Sequence, residues 1–249
     1  KNFLGLQNHP AARKYLQAGG LPGICFVRNE RDRVDLLETQ IDLILDRDLR
    51  LVCDTDLPLS RLRILAQILA QNQNRPFNLS EISRKSRISA PTLRKIIAGL
   101  EAVFLIRIIP CEGSETRPVL FFEDQGEMNF LAASRVGHIP GQSSDLISDL
   151  ERLTYAHLRI PFAYEAGLNW TMFQYRQHGG AYLPFAVRSD NHVIGFICSL
   201  EEKPSLAAVR SAGSFKNNYP GAKVVHLHPG KTVDVLSEDE ISIPIEAIF

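Results

Sequence analysis

A chain of 249 residues with 45% apolar composition can bury the core of one large or two to three small domains, which excludes a disordered polymer. Lys plus Arg and Asp plus Glu both number 28, so whole-chain charge argues for no nucleic-acid partner and only local clustering could. Cys25, Cys53, Cys111 and Cys198 form no C-x-x-C pair, which speaks against a zinc site or disulfide framework and for a reducing cytoplasm, and no apolar run reaches the ~18 residues of a membrane span.

Residues 1–58 read as helical. "ARKYLQAGGLPG" runs a short amphipathic helix into a Gly-Gly-Leu-Pro stop. "ERDRVDLLETQIDLILDRDLRLV" then places Val34, Leu37, Ile41, Ile44, Leu45 and Leu49 on one apolar stripe. Its Asp and Arg residues read as a solvated face with i,i+4 pairing.

Residues 59–125 carry the order of a winged helix-turn-helix. "SRLRILAQILAQ" is the first helix, and "NLSEISRKSRI" opens with Asn78 three residues before Glu81, the spacing of a capping box. Ser89 caps "APTLRKIIAGLEAVFL", with Pro91 in its first turn. "FLIRIIP" and "RPVLFFED" then read as a hairpin turning at "CEGSET". Between Ser60 and Ile109 the cations Arg61, Arg63, Arg75, Arg84, Lys85, Arg87, Arg94, Lys95 and Arg107 face only Glu81 and Glu101, a formal +7. On duplex DNA, Ser89, Thr92, Arg94 and Lys95 would approach base edges while Arg84, Lys85 and Arg87 met phosphates. The same face could instead dock an acidic protein surface or a second copy, and both readings stand.

Residues 135–249 switch to alternating helices and strands, so the expected class is α+β or α/β with a sheet flanked by helices. "QYRQHGGAYLPFAVRSDNHVIGFICSLEEKPS" (174–205) has the layout of a metal-dependent nuclease core: a strand ending in Arg, a Gly turn, a second strand, a polar turn and a third strand. Such a core holds a divalent cation through paired acids, with a Lys two residues after the Glu so that both share a strand face.

Several stretches resemble the C-terminal half of a family of bacterial and archaeal AAA-type ATPase-like proteins: "YLQAGGLPG", "ILDRDL", "NLSEISRKSRISAPTLRKIIAGLEAVFLIRII", "VLFFEDQGE", "LERLTYAHL" and "YRQHGGAYLPFAV". Their order along nearly the whole chain carries the resemblance. It implies a helical lid-like region, a winged helix and a restriction-endonuclease-like domain. With Lys1 in place of Met, it also implies that this sequence is a fragment whose ATPase module lies outside it. The resemblance retains the helix Glu as Glu151. It puts Tyr182 and Pro184 at the Glu and Asp of a Gly-x-Glu-Val-Asp run, and Ile197 and Ser199 at the Glu-x-Lys pair. The expected outcome is a non-enzymatic binding module with a degenerate nuclease site and no metal. DNA binding through the winged helix is the alternative.

A third reading shifts the pair to Glu201-x-Lys203, with Asp190 as the acid, and predicts an active nuclease. His226 and His228 share a strand face and could meet one metal, but with no third ligand nearby they read as an edge-strand pair in solvent. His178 beside Gly179-Gly180 reads as a turn residue. No G-x-x-x-x-G-K-[ST] run exists, so no cofactor is expected in this chain. ATP and Mg²⁺ would belong only to an N-terminal ATPase module.

Overall fold

The computed structural model describes residues 10–133, 146–164, 169–189 and 192–248. The class is α+β: helices in the N-terminal part, then a mixed seven-stranded sheet flanked by helices. Among the described residues, no helix is long and apolar enough to cross a membrane. These residues divide into two units, one helical (13–108 and 119–133) and one built on the sheet (109–118 and from 146 onward).

The helical unit joins both expected N-terminal segments around one core. Helix α1 is Pro10–Ala18 and α2 is Glu30–Leu43, started by the Asn29 side chain. A π-helical turn, Ile44–Asp48, carries α2 into a last short helix, α3 (Leu49–Val52). Leu37, Ile41, Ile44, Leu45 and Leu49 are buried as the periodicity predicts, whereas Val34 is exposed. Helices α4 (Leu59–Gln71), α5 (Leu79–Ser86) and α6 (Ala90–Ala102) follow. Leu62, Leu65, Leu69, Leu93, Ile96 and Leu100 line the shared core.

The expected hairpin is not formed as one element. Strand β1 (Ile106–Ile109) pairs with β3 (Val119–Phe122) in a two-stranded sheet. The stretch read as their turn contributes β2 (Cys111–Gly113), which runs parallel to the first strand of the large sheet. Chemistry explains the diversion. The Pro110 carbonyl accepts from Gln174 N at 2.8 Å, and the Glu112 carboxylate accepts from the Arg188 guanidinium and from the Tyr219 hydroxyl.

Helix α7 (Gln125–Ala133) closes the helical unit against the loop after α1. Asp124 caps it, accepting from Gly126 N (2.8 Å) and Glu127 N (3.1 Å), while its other oxygen accepts from Gly20 N at 2.6 Å. Asn129 donates to the Leu16 carbonyl at 2.6 Å. Gly19 has φ +74°, and a Cβ there would lie 2.1 Å from the Asp124 carboxylate, so only glycine fits.

In the sheet unit, α8 is Leu146–Tyr164. Strands β4 (Thr171–Arg176), β5 (Tyr182–Ser189) and β6 (His192–Cys198) precede α9 (Leu206–Asn218), capped by Ser205. Strands β7 (Lys223–His228), β8 (Asp234–Ser237) and β9 (Glu240–Pro244) complete the order β2-β4-β5-β6-β7-β9-β8. β4, β5 and β6 are antiparallel neighbours, whereas β6, β7 and β9 are parallel. α9 covers one face, packing Ala212 and Phe215 against Phe173, Tyr175, Leu183, Ile197 and Val224. α8 covers the other, where Tyr155 lies over Phe185 with ring centroids 6.3 Å apart.

Candidate nucleic-acid interface and the cleft beneath helix α8

The helix-turn-helix of α5 and α6 is fixed by local bonds. The Asn78 side chain accepts from Glu81 N at 3.1 Å, but Glu81 does not return the bond and pairs with Lys85 at 2.6 Å instead. This pair holds the Glu81 carboxyl below its usual range. Ser89 caps α6: its hydroxyl accepts from Thr92 N at 3.4 Å and lies 2.8 Å from the Thr92 hydroxyl. Arg87 ends α5 at φ +56°, a left-handed conformation that costs an L-residue ~1–2 kcal/mol. Arg61 of α4 holds the turn by donating to the carbonyls of Ser86 (3.2 Å) and Arg87 (2.8 Å).

The formal +7 is thinned by pairing. Arg63 is bound by Asp42 and by Glu38, and Arg107 by Glu123. These contacts lie outside the turn. Around it, Arg84, Arg87, Arg94 and Lys95 are exposed and form no salt bridge among the described residues, although Arg84 adds to the field that lowers Glu81. Lys95 also faces the buried Cys53 thiol, whose pKa burial raises and the ammonium opposes. The exposed face of α6 otherwise carries Pro91, Ala98 and Ala102. Its one acid, Glu101, is taken up by the Ile108 backbone N–H at 2.8 Å.

In the sheet unit, Glu151 of α8 is buried and hydrogen-bonds the Tyr182 hydroxyl of β5. Burial first, and the Glu151 charge second, raise the Tyr182 pKa well above its ordinary value. Cys198 joins them, its thiol pushed up by burial and by Glu151 and lying 3.4 Å from the Thr154 hydroxyl. Fully buried Gln174 donates to the Tyr182 hydroxyl at 3.2 Å and accepts from Arg176 at 3.2 Å. The Arg176 guanidinium sits 4.7 Å from the Tyr182 ring centre. Tyr182 and Cys198 are therefore held neutral beside the Glu151 carboxylate.

The predicted site residues do not all converge. Pro184 falls in a β-bulge, where it and Phe185 together oppose Gln174, and its carbonyl lies 3.5 Å from the Gln174 amide. Ile197 is on the opposite face, packed under α9, and the residue of that strand facing α8 is Cys198. Ser199 is past the strand end and accepts from Glu201 N at 3.3 Å. Glu201 and Lys203 are exposed in the following turn, and Asp190 lies outside the described residues. Glu202, between them, is the structural member: it accepts from Lys231 N (3.1 Å) and the Thr232 hydroxyl (3.0 Å), which lowers its pKa.

The histidine pair requires a correction. β7 is an inner strand between β6 and β9, and both His226 and His228 are buried rather than at a solvent edge. His226 lies 3.3 Å from Glu240, which Lys216 also binds at 2.5 Å, and burial lowers its pKa. His228 accepts from Gly230 N at 3.1 Å. Among the described residues, no group of three or more His, Cys, Asp or Glu side chains is placed to hold a metal ion.

Gln174, Cys198, Thr154, Arg176 and the Arg61 clamp were not singled out by sequence. A period-two count from Phe196 reaches Cys198 and could have found it, had the covered face been known. A family model described as a domain of unknown function (DUF8612) matches residues 9–132, the span from just before α1 through most of α7. No curated protein and no solved structure matches the chain.

Proposed function

We propose that this chain is a non-enzymatic binding module that docks on duplex DNA through the α5–α6 helix-turn-helix. The observation that carries the reading is the set of four exposed cations that form no salt bridge among the described residues, Arg84, Arg87, Arg94 and Lys95, grouped at the end of α5, the turn and the first half of α6. Cations consumed by internal ion pairs have no charge to spare for phosphate, whereas these four can each displace a condensed counterion. Arg87 supports the same reading: a long cation occupies a backbone conformation that favours glycine.

The sheet unit serves as a scaffold in this proposal, a restriction-endonuclease-like sheet whose acids have been replaced. Mg²⁺ takes near-octahedral oxygen ligation, and one carboxylate beside a phenol, a thiol and an amide is a poor donor set for it. The supporting chemistry is that Glu151 faces Tyr182 and Cys198 instead of a second acid. Fluorescence anisotropy with a labelled 20-base-pair duplex at low salt tests the proposal. The wild type should bind, and Arg84→Glu with Arg94→Glu should abolish binding while leaving the circular dichroism spectrum unchanged. A wild type that leaves the duplex free contradicts it.

A further inference from the structure

Resting on the DNA reading above, we infer that Arg94 is the one side chain of this interface that reads sequence, and that its target is guanine in the major groove. Bonding state eliminates the other candidates. Of the four α6 residues whose positions suit base contacts, Ser89 and Thr92 are spent on each other and on the helix cap: one hydroxyl accepts from the Thr92 backbone N–H, and the two hydroxyls lie 2.8 Å apart. Freeing Ser89 for a base would undo the cap that starts α6, and freeing Thr92 would break the hydroxyl pair. Lys95 is exposed, but an ammonium is a point charge without a planar fork, suited to phosphate and poor at discriminating base edges.

Arg94 remains. It lies five residues beyond the Ser89 cap, ~7.5 Å along the axis at ~1.5 Å per residue, within the N-terminal part that a recognition helix presents to base edges. It is exposed, and no carboxylate among the described residues holds its guanidinium. Its neighbours on the outer face are Pro91, Ala98 and Ala102, all too short to hold the helix away from the groove floor. The planar guanidinium donates two parallel N–H bonds to O6 and N7 of guanine, a pattern no other base presents in the major groove.

Arg84 and Arg87 belong to the preceding helix and turn. The turn carbonyls of Ser86 and Arg87 are locked by Arg61, so these two cations leave the chain before α6 starts, and they are assigned to phosphate. The interface is thereby divided: Arg94 for a base, and Arg84, Arg87 and Lys95 for the backbone.

The test is selection from a randomised duplex library with the full chain, followed by sequencing of the bound fraction, for wild type, Arg94→Ala, Arg94→Lys and Arg84→Ala/Arg87→Ala. The wild type should enrich guanine at one position by about 5- to 150-fold. Arg94→Ala and Arg94→Lys should both flatten that position while still binding DNA, because lysine keeps the charge and loses the fork. Arg84→Ala/Arg87→Ala should weaken binding to every sequence alike and leave the guanine enrichment in place. Binding without any enriched position, or guanine enrichment that survives Arg94→Ala, overturns the inference and leaves the DNA reading standing. No retained duplex with the wild type at low salt overturns both.

Discussion

The contact between the Gly19 loop and Asp124 makes a sharp energetic prediction. Asp124→Ala removes the cap of α7, ~1 kcal/mol, and strips the Gly20 N–H of a charged acceptor, ~2 kcal/mol, so about 3 kcal/mol should be lost. Gly19→Ala carries two costs. A left-handed alanine costs ~1 kcal/mol, and its Cβ, 2.1 Å from the carboxylate oxygen, must push Asp124 out of its bonds and forfeit the same ~3 kcal/mol. In the Asp124→Ala background the second cost is already spent, so the double variant should lose about 4 kcal/mol, not the additive ~7. Urea unfolding followed at 222 nm, with hydrogen exchange of the α7 amides as the local readout, measures the cycle. A coupling near 3 kcal/mol is expected. Strict additivity, within ~0.5 kcal/mol, would show that Gly19 is not held by this carboxylate.

Three further outcomes can be checked independently. Burial and the nearby Asp124 push the Glu127 carboxyl up to about 8 in the folded state. The folded chain thus keeps a proton that the unfolded chain releases near its ordinary value of 4.5, so this stabilisation is complete below pH 4.5 and lost as pH rises to 8. Glu127→Gln should abolish that decline and exceed the wild type at pH 8 by on the order of 4 kcal/mol in urea melts, whereas parallel pH profiles would contradict the buried acid. Adding Mg²⁺ or Mn²⁺ should produce no cleavage of plasmid DNA, and Glu201→Ala should change nothing. Metal-dependent cutting lost on that substitution would restore the nuclease reading. Arg61→Ala should speed amide exchange through residues 86–89 and lower duplex affinity severalfold without touching an exposed cation, because two turn carbonyls lose their donor.

What the sequence disclosed followed the range of the interactions involved. Helices α4 to α6 were legible because each carries its own signals: Leu62, Leu65 and Leu69 repeat at helical spacing, and the Asn78 and Ser89 side chains bond backbone N–H groups three residues on. β2 was not, since its place is set by Arg188 and Tyr219, which reach Glu112 from 76 and 107 residues away. The cleft was half legible. Glu151 and Tyr182 meet, but the bulge at Pro184 and Phe185 shifts the phase of β5, and nothing local says which face of β6 lies under α8. His226 and His228 were misread because β9 adds in parallel beyond β7 and turns an apparent edge into an interior strand.

Duplex affinity measured as a function of salt tests the central claim most directly. With Arg94 on a base, Arg84, Arg87 and Lys95 neutralise three phosphates and predict that log K falls with log salt at a slope of roughly −2.7, and at roughly −0.9 for Arg84→Ala/Arg87→Ala. A slope near zero in the wild type, or one that the double substitution leaves unchanged, would contradict it.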